Sequence, residues 1–131
     1  MTRPTIPTEL AAIVGDAFVV VDPDLTARHR IDWTGRYVGP DAVVVRPGST
    51  AEVAGVVAWA AASGVALVPQ GGNTGLVGGG VPDSSGTQVL LSLQRLNRVR
   101  GIDRANLTLT AEAGCVLQQV QEAATAEGLF F

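Results

Sequence analysis

Between residues 42 and 69 the hydrophobic and polar positions predict a strand, a helix and a second strand. Ala42–Arg46 is a β-branched run closed by a Pro-Gly turn, which is typical of a buried strand. Ser49 and Glu52 then form a capping box that starts the helix, and Gly64 ends it. Val65–Val68 predicts the next strand. Apolar residues recur at helical spacing at Val53, Val56, Val57 and Ala60, which supports the helix.

The rest of the chain gives further elements, with one gap. A short helix is predicted at Thr8–Val14, with Thr8 as its cap, whereas residues 18–36 follow no regular pattern. Strands are predicted at Gln88–Leu93, Val99–Ile102 and Leu107–Ala111, the last two joined by a polar turn. A second amphipathic helix is predicted at Val116–Ala126, ended by Gly128, and Leu129–Phe131 reads as the start of a strand. Its apolar face comprises Val116, Val120, Ala123 and Ala124.

This order of elements predicts an α/β fold. A strand–helix–strand unit of this length implies parallel strands joined by a right-handed crossover. The chain has 131 residues, of which 47% are hydrophobic and 16% charged, enough apolar surface for one domain with a buried core.

Charge and cysteine content exclude several classes of protein. The net charge is −3, and no basic cluster supports nucleic-acid binding. No apolar stretch reaches roughly 18 residues, so we expect no membrane span. Cys115 is the single cysteine, which rules out an internal disulfide and fits a reducing compartment. Met1–Pro7 lacks the apolar core of a signal peptide, and we therefore expect a cytoplasmic protein.

The segment Pro69–Gly80, called here the glycine loop, is the strongest candidate for chemistry. It contains six glycines together with Asn73 and Thr74. Glycine lets the backbone approach a ligand closely, and successive amides can hold an anion without a lysine. We expect the two polar side chains to add donors. The composition therefore suits a pyrophosphate bound mainly by main-chain amides.

Three other interpretations of the loop compete with this one. A P-loop needs a Gly-Lys-Ser/Thr ending, and the loop has no lysine. A dinucleotide fingerprint opens a helix and has an acidic residue about 20 positions on. Here the loop runs into Val81–Gly86, which predicts a turn. By composition alone, a surface loop without a ligand stays open.

Several motifs occur in a fixed order between residues 32 and 131. They are Asp32–Tyr37, Val45–Val53, Val68–Gly79, Leu91–Leu93 with Leu96-Asn97, and Glu112–Gly114. Together they resemble one family, the vanillyl-alcohol-oxidase-type (PCMH-type) flavoproteins. Among its members the D-lactate, D-2-hydroxyglutarate and glycolate dehydrogenases are the most similar.

The resemblance implies a fold, a cofactor and a reaction. It implies the first FAD-binding subdomain of the PCMH-type fold over residues 41–131, a small strand–helix–strand sheet flanked by helices, after a lead-in at residues 1–40. It implies FAD as cofactor and a small D-2-hydroxy acid as substrate, with hydride passing to the flavin. The FAD-binding residues carried over are Pro69, Gln70, Gly71, Gly72, Asn73, Thr74, Gly75, Leu76, Gly78 and Gly79.

The family's second glycine segment and its cap domain have no counterpart in the chain. That cap carries the family's metal-ligand histidines, so no catalytic or metal-binding residue is assigned here. We expect a fragment that is inactive alone, whose apolar edge at Phe131 is covered by further chain or by self-association. The alternatives are an FAD-dependent alcohol or sugar oxidase or a reductase of the same fold, or a non-catalytic module that binds no flavin.

Some residues outside the loop invite a functional role, but simpler roles are favoured. His29 is the single histidine and is expected to be solvated or structural. Cys115 is expected to be a small packed residue, and Arg46 an ion-pair partner. Trp33 and Tyr37 fit either the flavin side or packing at a subdomain edge. Asp83 is expected to cap a turn, and Glu9 and Glu52 to act at helix starts.

Overall fold

The computed structural model describes residues 8–131, and Met1–Pro7, with its signal-peptide prediction, lies outside that range. Four helices and six strands are connected by turns and two short 3₁₀ segments. The helices are α1 (Thr8–Val14), α2 (Pro23–Thr26), α3 (Thr50–Ser63) and α4 (Leu117–Ala126). The strands are β1 (Val19–Val20), β2 (Val44–Val45), β3 (Leu67–Gln70), β4 (Val89–Ser92), β5 (Val99–Asp103) and β6 (Thr108–Ala111).

The main sheet has four strands in the order β1-β2-β4-β3. Strands β2, β4 and β3 are parallel, as the strand–helix–strand unit predicts. The strand that follows the glycine loop lies between the two that α3 connects, so the crossover passes over one strand. All four residues of β4 are buried, which suits the central position of this strand.

Both edges of this sheet differ from the sequence prediction. Strand β1, which the irregular pattern of residues 18–36 concealed, pairs antiparallel with β2 at one edge. At the other edge Pro69 lies inside β3 and does not end it. Proline has no amide hydrogen to donate, and an edge strand tolerates this because one of its sides has no partner strand.

Helix α3 forms as the capping box predicts. The Ser49 hydroxyl accepts from the Glu52 amide at 3.2 Å, and Gly64 ends the helix with φ of 66°. The Glu52 carboxylate accepts from the Gly48 amide at 2.7 Å. Of the predicted apolar face Val56 and Ala60 are buried, whereas Val57 is 49% exposed, so its assignment to that face is wrong.

Strands β5 and β6 form a separate antiparallel hairpin, closed by the polar turn that the sequence predicts. Helix α4 follows, with Val120 and Ala124 buried. Val116 is the residue before its first turn and is 67% exposed, so placing it on the apolar face is wrong. Leu129–Phe131 forms no strand, and these residues lie beside β6 and the end of α4.

The core lies between the main sheet and helices α1 and α3. Gly55 allows α1 to cross α3 closely, because a side chain there would meet Ile13 at 2.9 Å. Within residues 8–131 no helix is long and apolar enough to cross a membrane. The buried core residues are Leu10, Val14, Val19, Val43, Val45, Val56, Val89 and Leu91.

Candidate functional site

The glycine loop leaves the sheet at the carboxyl end of β3 and returns to it through β4. Ligands of open α/β sheets bind in the crevice beyond the carboxyl ends of parallel strands. Gln70 is the last residue of β3 and pairs in register with Ser92, the last residue of β4. The loop therefore lies where the topology of the sheet favours a ligand.

The backbone amides of the loop are unusually free. Within residues 8–131 none of the N–H groups from Gly71 to Gly80 donates a hydrogen bond to another residue. Gly71, Asn73, Gly78 and Gly80 are half-buried, and amides in such positions are nearly all paired in other proteins. A run of unpaired donors around a concavity is the arrangement that binds an anion through the main chain.

The loop glycines leave room for something other than protein. A Cβ on Gly75 or Gly79 would meet no atom within 4 Å, and one on Gly72 would meet Thr74 Cγ2 at 4.0 Å. These three glycines also have no positive φ. Packing and backbone geometry therefore do not explain these three glycines.

Gly78 is the exception, because the fold itself requires it. Its φ is 76°, and a Cβ there would lie 2.7 Å from Cγ of Tyr37. The Tyr37 ring thus packs on the backbone of the loop. Of the two roles left open for this tyrosine, the structure supports packing.

Gln70 closes the base of the loop. Its Nε2 donates to the carbonyl oxygens of Gly80 at 2.7 Å and His29 at 2.9 Å. His29 Nδ1 lies 2.7 Å from Gln70 Oε1, and both side chains are buried. The sequence predicts that His29 is either solvated or structural. The structure shows that it is structural, and the solvated alternative is wrong.

Asn73 fixes the middle of the loop. Its φ is 55°, and its Nδ2 donates to the carbonyl oxygens of Ile31 at 2.7 Å and Arg28 at 3.4 Å. Both hydrogens of the Asn73 side-chain amide thus bind backbone carbonyl oxygens. The side chain therefore shapes the loop and has no free donor for a ligand. The Thr74 side chain has no such partner within residues 8–131 and is exposed.

A two-lobed cleft runs along the loop. The smaller lobe, of about 250 Å³, is formed largely by the loop itself. The larger, of about 410 Å³, also includes Arg28, Trp33 and Gln94. Volumes of ~300–1,000 Å³ are usual for small-molecule sites. Of the ten predicted FAD-binding residues, Leu76 and Gly79 do not line the smaller lobe.

Asp32 lines both lobes, but both of its carboxylate oxygens already accept hydrogen bonds from the protein. Oδ2 accepts from the Thr34 hydroxyl at 2.6 Å and the Thr34 amide at 3.1 Å, and Oδ1 accepts from the Tyr37 amide at 3.0 Å. The Thr34 hydroxyl, followed by the backbone amides, lowers the pKa of this carboxyl. Asp32 therefore organises the Asp32–Tyr37 turn and brings Trp33, 74% exposed, to the larger lobe.

The remaining candidates have structural environments. Asp83 caps its turn by accepting from the Ser85 amide at 2.9 Å, which confirms the prediction. Arg46 forms no ion pair within residues 8–131, so the expected salt bridge is wrong, and its backbone oxygen accepts from Arg95 at 2.7 Å. Cys115 is half-buried before α4.

Arg28 and Gln94 also line the cleft, and no sequence motif marked them. Both lie outside the glycine loop, one before the first predicted strand and the other after β4. Only the folded arrangement of the sheet brings them to the same cavity, so their spacing along the chain carries no signal.

The comparisons with known proteins give one family and several relatives. Residues 40–131 match the family described as FAD binding domain. The chain is 42% identical over 109 residues to "Probable D-2-hydroxyglutarate dehydrogenase, mitochondrial" of Oryza sativa subsp. indica, covering 83% of this chain and 19% of that protein. It is 32% identical over 131 residues to D-2-hydroxyglutarate dehydrogenase of Stutzerimonas stutzeri, covering 100% of this chain and 28% of that protein.

A solved structure agrees with the fold. The crystal structure of p-cresol methylhydroxylase with substrate bound superposes with a TM-score of 0.76 at 22% identity, covering 93% of this chain and 24% of that one. The chain spans roughly a fifth to a quarter of the length of the relatives it matches, of which it covers 19% and 28%. The expected PCMH-type fold is confirmed.

Proposed function

The chain belongs to the FAD binding domain family, and we propose that its glycine loop holds the pyrophosphate of FAD. The observation that carries the proposal is the smaller lobe of the cleft. It combines unpaired backbone amides with glycines that the fold itself does not need. A pyrophosphate carries its charge on oxygen atoms that accept from such amides at close range.

The residues present fit this group. Five of the eleven residues that line the lobe are glycines, which offer only main-chain atoms, and the one carboxylate among the eleven, Asp32, is already bonded. Arg28, at the rim of the larger lobe, adds positive charge. Residues Gln70 and Asn73 would hold the loop in shape, and the amides of Gly71–Gly75 would contact the anion.

We propose that the protein containing this chain oxidises a small D-2-hydroxy acid. When bound, FAD supplies the two-electron redox chemistry by accepting a hydride from the substrate carbon. The names of the relatives, D-2-hydroxyglutarate dehydrogenases from a plant and a bacterium, support this substrate class. The described residues are assigned cofactor binding alone, and no catalytic role is assigned to any of them.

Gly75→Ala tests the cradle. Its side chain would enter the smaller lobe without meeting protein, so we expect unchanged or slightly higher thermal stability and at least about tenfold weaker FAD binding, ~1.4 kcal/mol. Gly101→Ala is the matched control, because a Cβ on Gly101 also meets no atom within 4 Å and Gly101 lines neither lobe. Gly72→Asp adds negative charge to the lobe and should weaken binding further.

FAD affinity is measured by flavin fluorescence during titration of the purified protein. Equal affinity in Gly75→Ala, Gly72→Asp and the unmodified protein would mean that the pyrophosphate lies elsewhere. The competing function is a module that binds no flavin. A colourless protein whose melting temperature does not rise with FAD would favour it.

Other oxidases and reductases of the same fold stay open as alternatives, and substrate screening of the full-length protein separates them. We also propose a cytoplasmic location. Some relatives are named as mitochondrial, so localisation of a tagged full-length protein is the relevant measurement.

A further inference from the structure

His29 and Gln70 form a buried polar pair beneath the glycine loop, and it joins three parts of the chain. Gln70 ends β3, Gly80 is the last glycine of the loop, and His29 lies in the segment after α2. Three hydrogen bonds of 2.7–2.9 Å connect them. His29 and Gln70 are 4% and 3% exposed, so water does not substitute for these bonds.

The pair determines which nitrogen of His29 carries the proton. Gln70 Nε2 faces two carbonyl oxygens, so it must be the donor end of that amide, and Oε1 faces His29. His29 Nδ1 is therefore an N–H donor at 2.7 Å. His29 Nε2 carries the lone pair of the neutral ring and accepts from Arg28 Nε at 3.4 Å.

We propose that neutral His29 is a positioning residue for the cofactor: it orients Gln70, which holds the two ends of the glycine loop at the spacing that the pyrophosphate needs, and protonation of His29 releases FAD. The proposal rests on the proposed function, and it adds a control of affinity by pH. Asn73 supports the same geometry, because it anchors the middle of the loop to Ile31 in the segment after His29.

The surroundings of His29 disfavour its charged form. Burial is the main cause that lowers its pKa below the ordinary 6.5, and the charges of Arg28 and Arg46 lower it further, while the bond to Gln70 acts in the opposite direction. A protonated ring would direct a new Nε2–H at the Arg28 guanidinium. Two carboxylates share cavities with His29. Asp24 lines a separate cavity together with His29, Arg28 and Arg46, and Asp32 lines the larger lobe of the cleft.

The sign of the pH dependence follows. Since the pKa of His29 in the folded protein lies below 6.5, the stability that neutral His29 gives the fold is fully present above about pH 6.5 and is lost as the pH falls through the lowered pKa. Protonation leaves the Nδ1–H donor to Gln70 in place, so it acts through the positive charge that it brings next to Arg28. FAD affinity is therefore expected to be constant near neutral pH and to weaken only as the pH falls through the lowered pKa of His29.

Two substitutions of His29 separate its hydrogen bond from its charge. In His29→Asn the side-chain amide takes the place of Nδ1, so the donor to Gln70 remains and nothing titrates. In His29→Gln the amide takes the place of Nε2, so that donor is lost. We expect His29→Asn to bind FAD at neutral pH nearly as the unmodified protein does, and His29→Gln to bind roughly tenfold more weakly.

The pH profile is the second measurement. FAD affinity of the unmodified protein should fall as the pH drops through the lowered pKa of His29, whereas the affinity of His29→Asn should stay constant as long as it is folded. Gln70→Met keeps the length of the side chain but removes its hydrogen bonds to His29 and Gly80. It should weaken FAD binding as His29→Gln does. The double variant should be no weaker than either single one, because both break the same pair.

Two results overturn the proposal. One is a His29→Gln protein that is less stable but binds FAD as tightly as the unmodified protein when folded. The other is an acid loss of affinity that His29→Asn shares in full. Either would make His29 a residue of the fold alone.

Failure of the proposed function gives a different result. If the unmodified protein binds no FAD at any pH, the cradle is wrong, and the pair is judged from the amide NMR signals of the loop glycines. Signals that shift in His29→Gln and on acidification, but not in His29→Asn, support the pair. Signals that stay unchanged refute it.

Discussion

At the scale of single residues, Gly114 shows how closely the backbone packs between β6 and α4. A Cβ on Gly114 would overlap the carbonyl oxygen of Leu93 and lie 2.8 Å from that of Leu96. Both contacts are with backbone, which cannot rotate away. Gly114→Ala is therefore expected to lower the free energy of unfolding by about 1–3 kcal/mol, as measured by urea denaturation.

Gly101→Ala is the matched control for this prediction. Gly101 lies in β5, and a Cβ there would meet no atom within 4 Å. Its stability should be unchanged or raised by up to about 1 kcal/mol, because alanine restricts the unfolded chain. Equal effects of the two substitutions would show that space at Gly114 is not limiting.

The residue scale is also where prediction from sequence has its limits. The chemistry of Gly71–Gly80 is local, because glycine content alone marks a backbone that can approach a ligand. The bond between His29 and Gln70 joins positions 41 residues apart, and no local pattern in either segment predicts it. Asn73 could be recognised as part of the loop, but the direction of its amide depends on Ile31.

At the scale of elements, the N-terminus of α3 gives a clean test. The Ser49 hydroxyl accepts from the Glu52 amide, one of the donors that a helix start leaves unpaired. Ser49→Ala should therefore lower the free energy of unfolding by about 1 kcal/mol. The measurement is again the urea midpoint.

Ser63→Ala removes the same hydroxyl from the other end of the helix. Ser63 is exposed and its side chain makes no hydrogen bond within residues 8–131. Its replacement should leave stability unchanged or slightly increased, since alanine favours the helix. If Ser63→Ala cost as much as Ser49→Ala, the loss could not be assigned to the cap hydrogen bond.

The elements that the sequence predicts well are those with several agreeing signals. Helix α3 has a capping box, apolar spacing and a terminal glycine, and its bounds match the prediction. Strand β1 has two residues and pairs with β2 alone, so its short sequence carries no pattern. Leu129–Phe131 is apolar like a strand, but it has no partner strand within residues 8–131.

At the scale of the whole molecule, strand order could not be predicted from sequence. Parallel strands follow from the α3 connection, but local patterns do not say that β4 lies between β2 and β3. The predicted boundary at residues 40–41 also meets a shared core. Leu10 and Val19 from the lead-in pack with Val45 and Val56 in one core cluster, while the boundary itself stays a prediction.

Glu112 binds two arginines of the hairpin region, one of which connects the hairpin to the start of α3, and it carries the prediction for acid stability. Its carboxylate accepts from Arg98 Nη2 at 3.0 Å and Arg100 Nη2 at 3.2 Å, and Arg100 also donates to the Thr50 hydroxyl at 3.0 Å at the start of α3. The bonds from Arg98, opposed by burial, lower the pKa of Glu112 from 4.5 to about 2. The folded state therefore holds this carboxyl ionised more strongly than the unfolded state does.

The resulting stability is fully present above pH 4.5 and is lost as the pH falls through about 2. Glu112→Gln should unfold at lower urea concentration than the unmodified protein at pH 7, and the difference should vanish near pH 2. Glu127→Gln is the control, because Glu127 pairs with Arg104 at the surface, where solvent screens the charges. A difference at pH 7 that persisted unchanged at pH 2 would mean that Glu112 stabilises by packing, and that its charge does not hold the hairpin to α3.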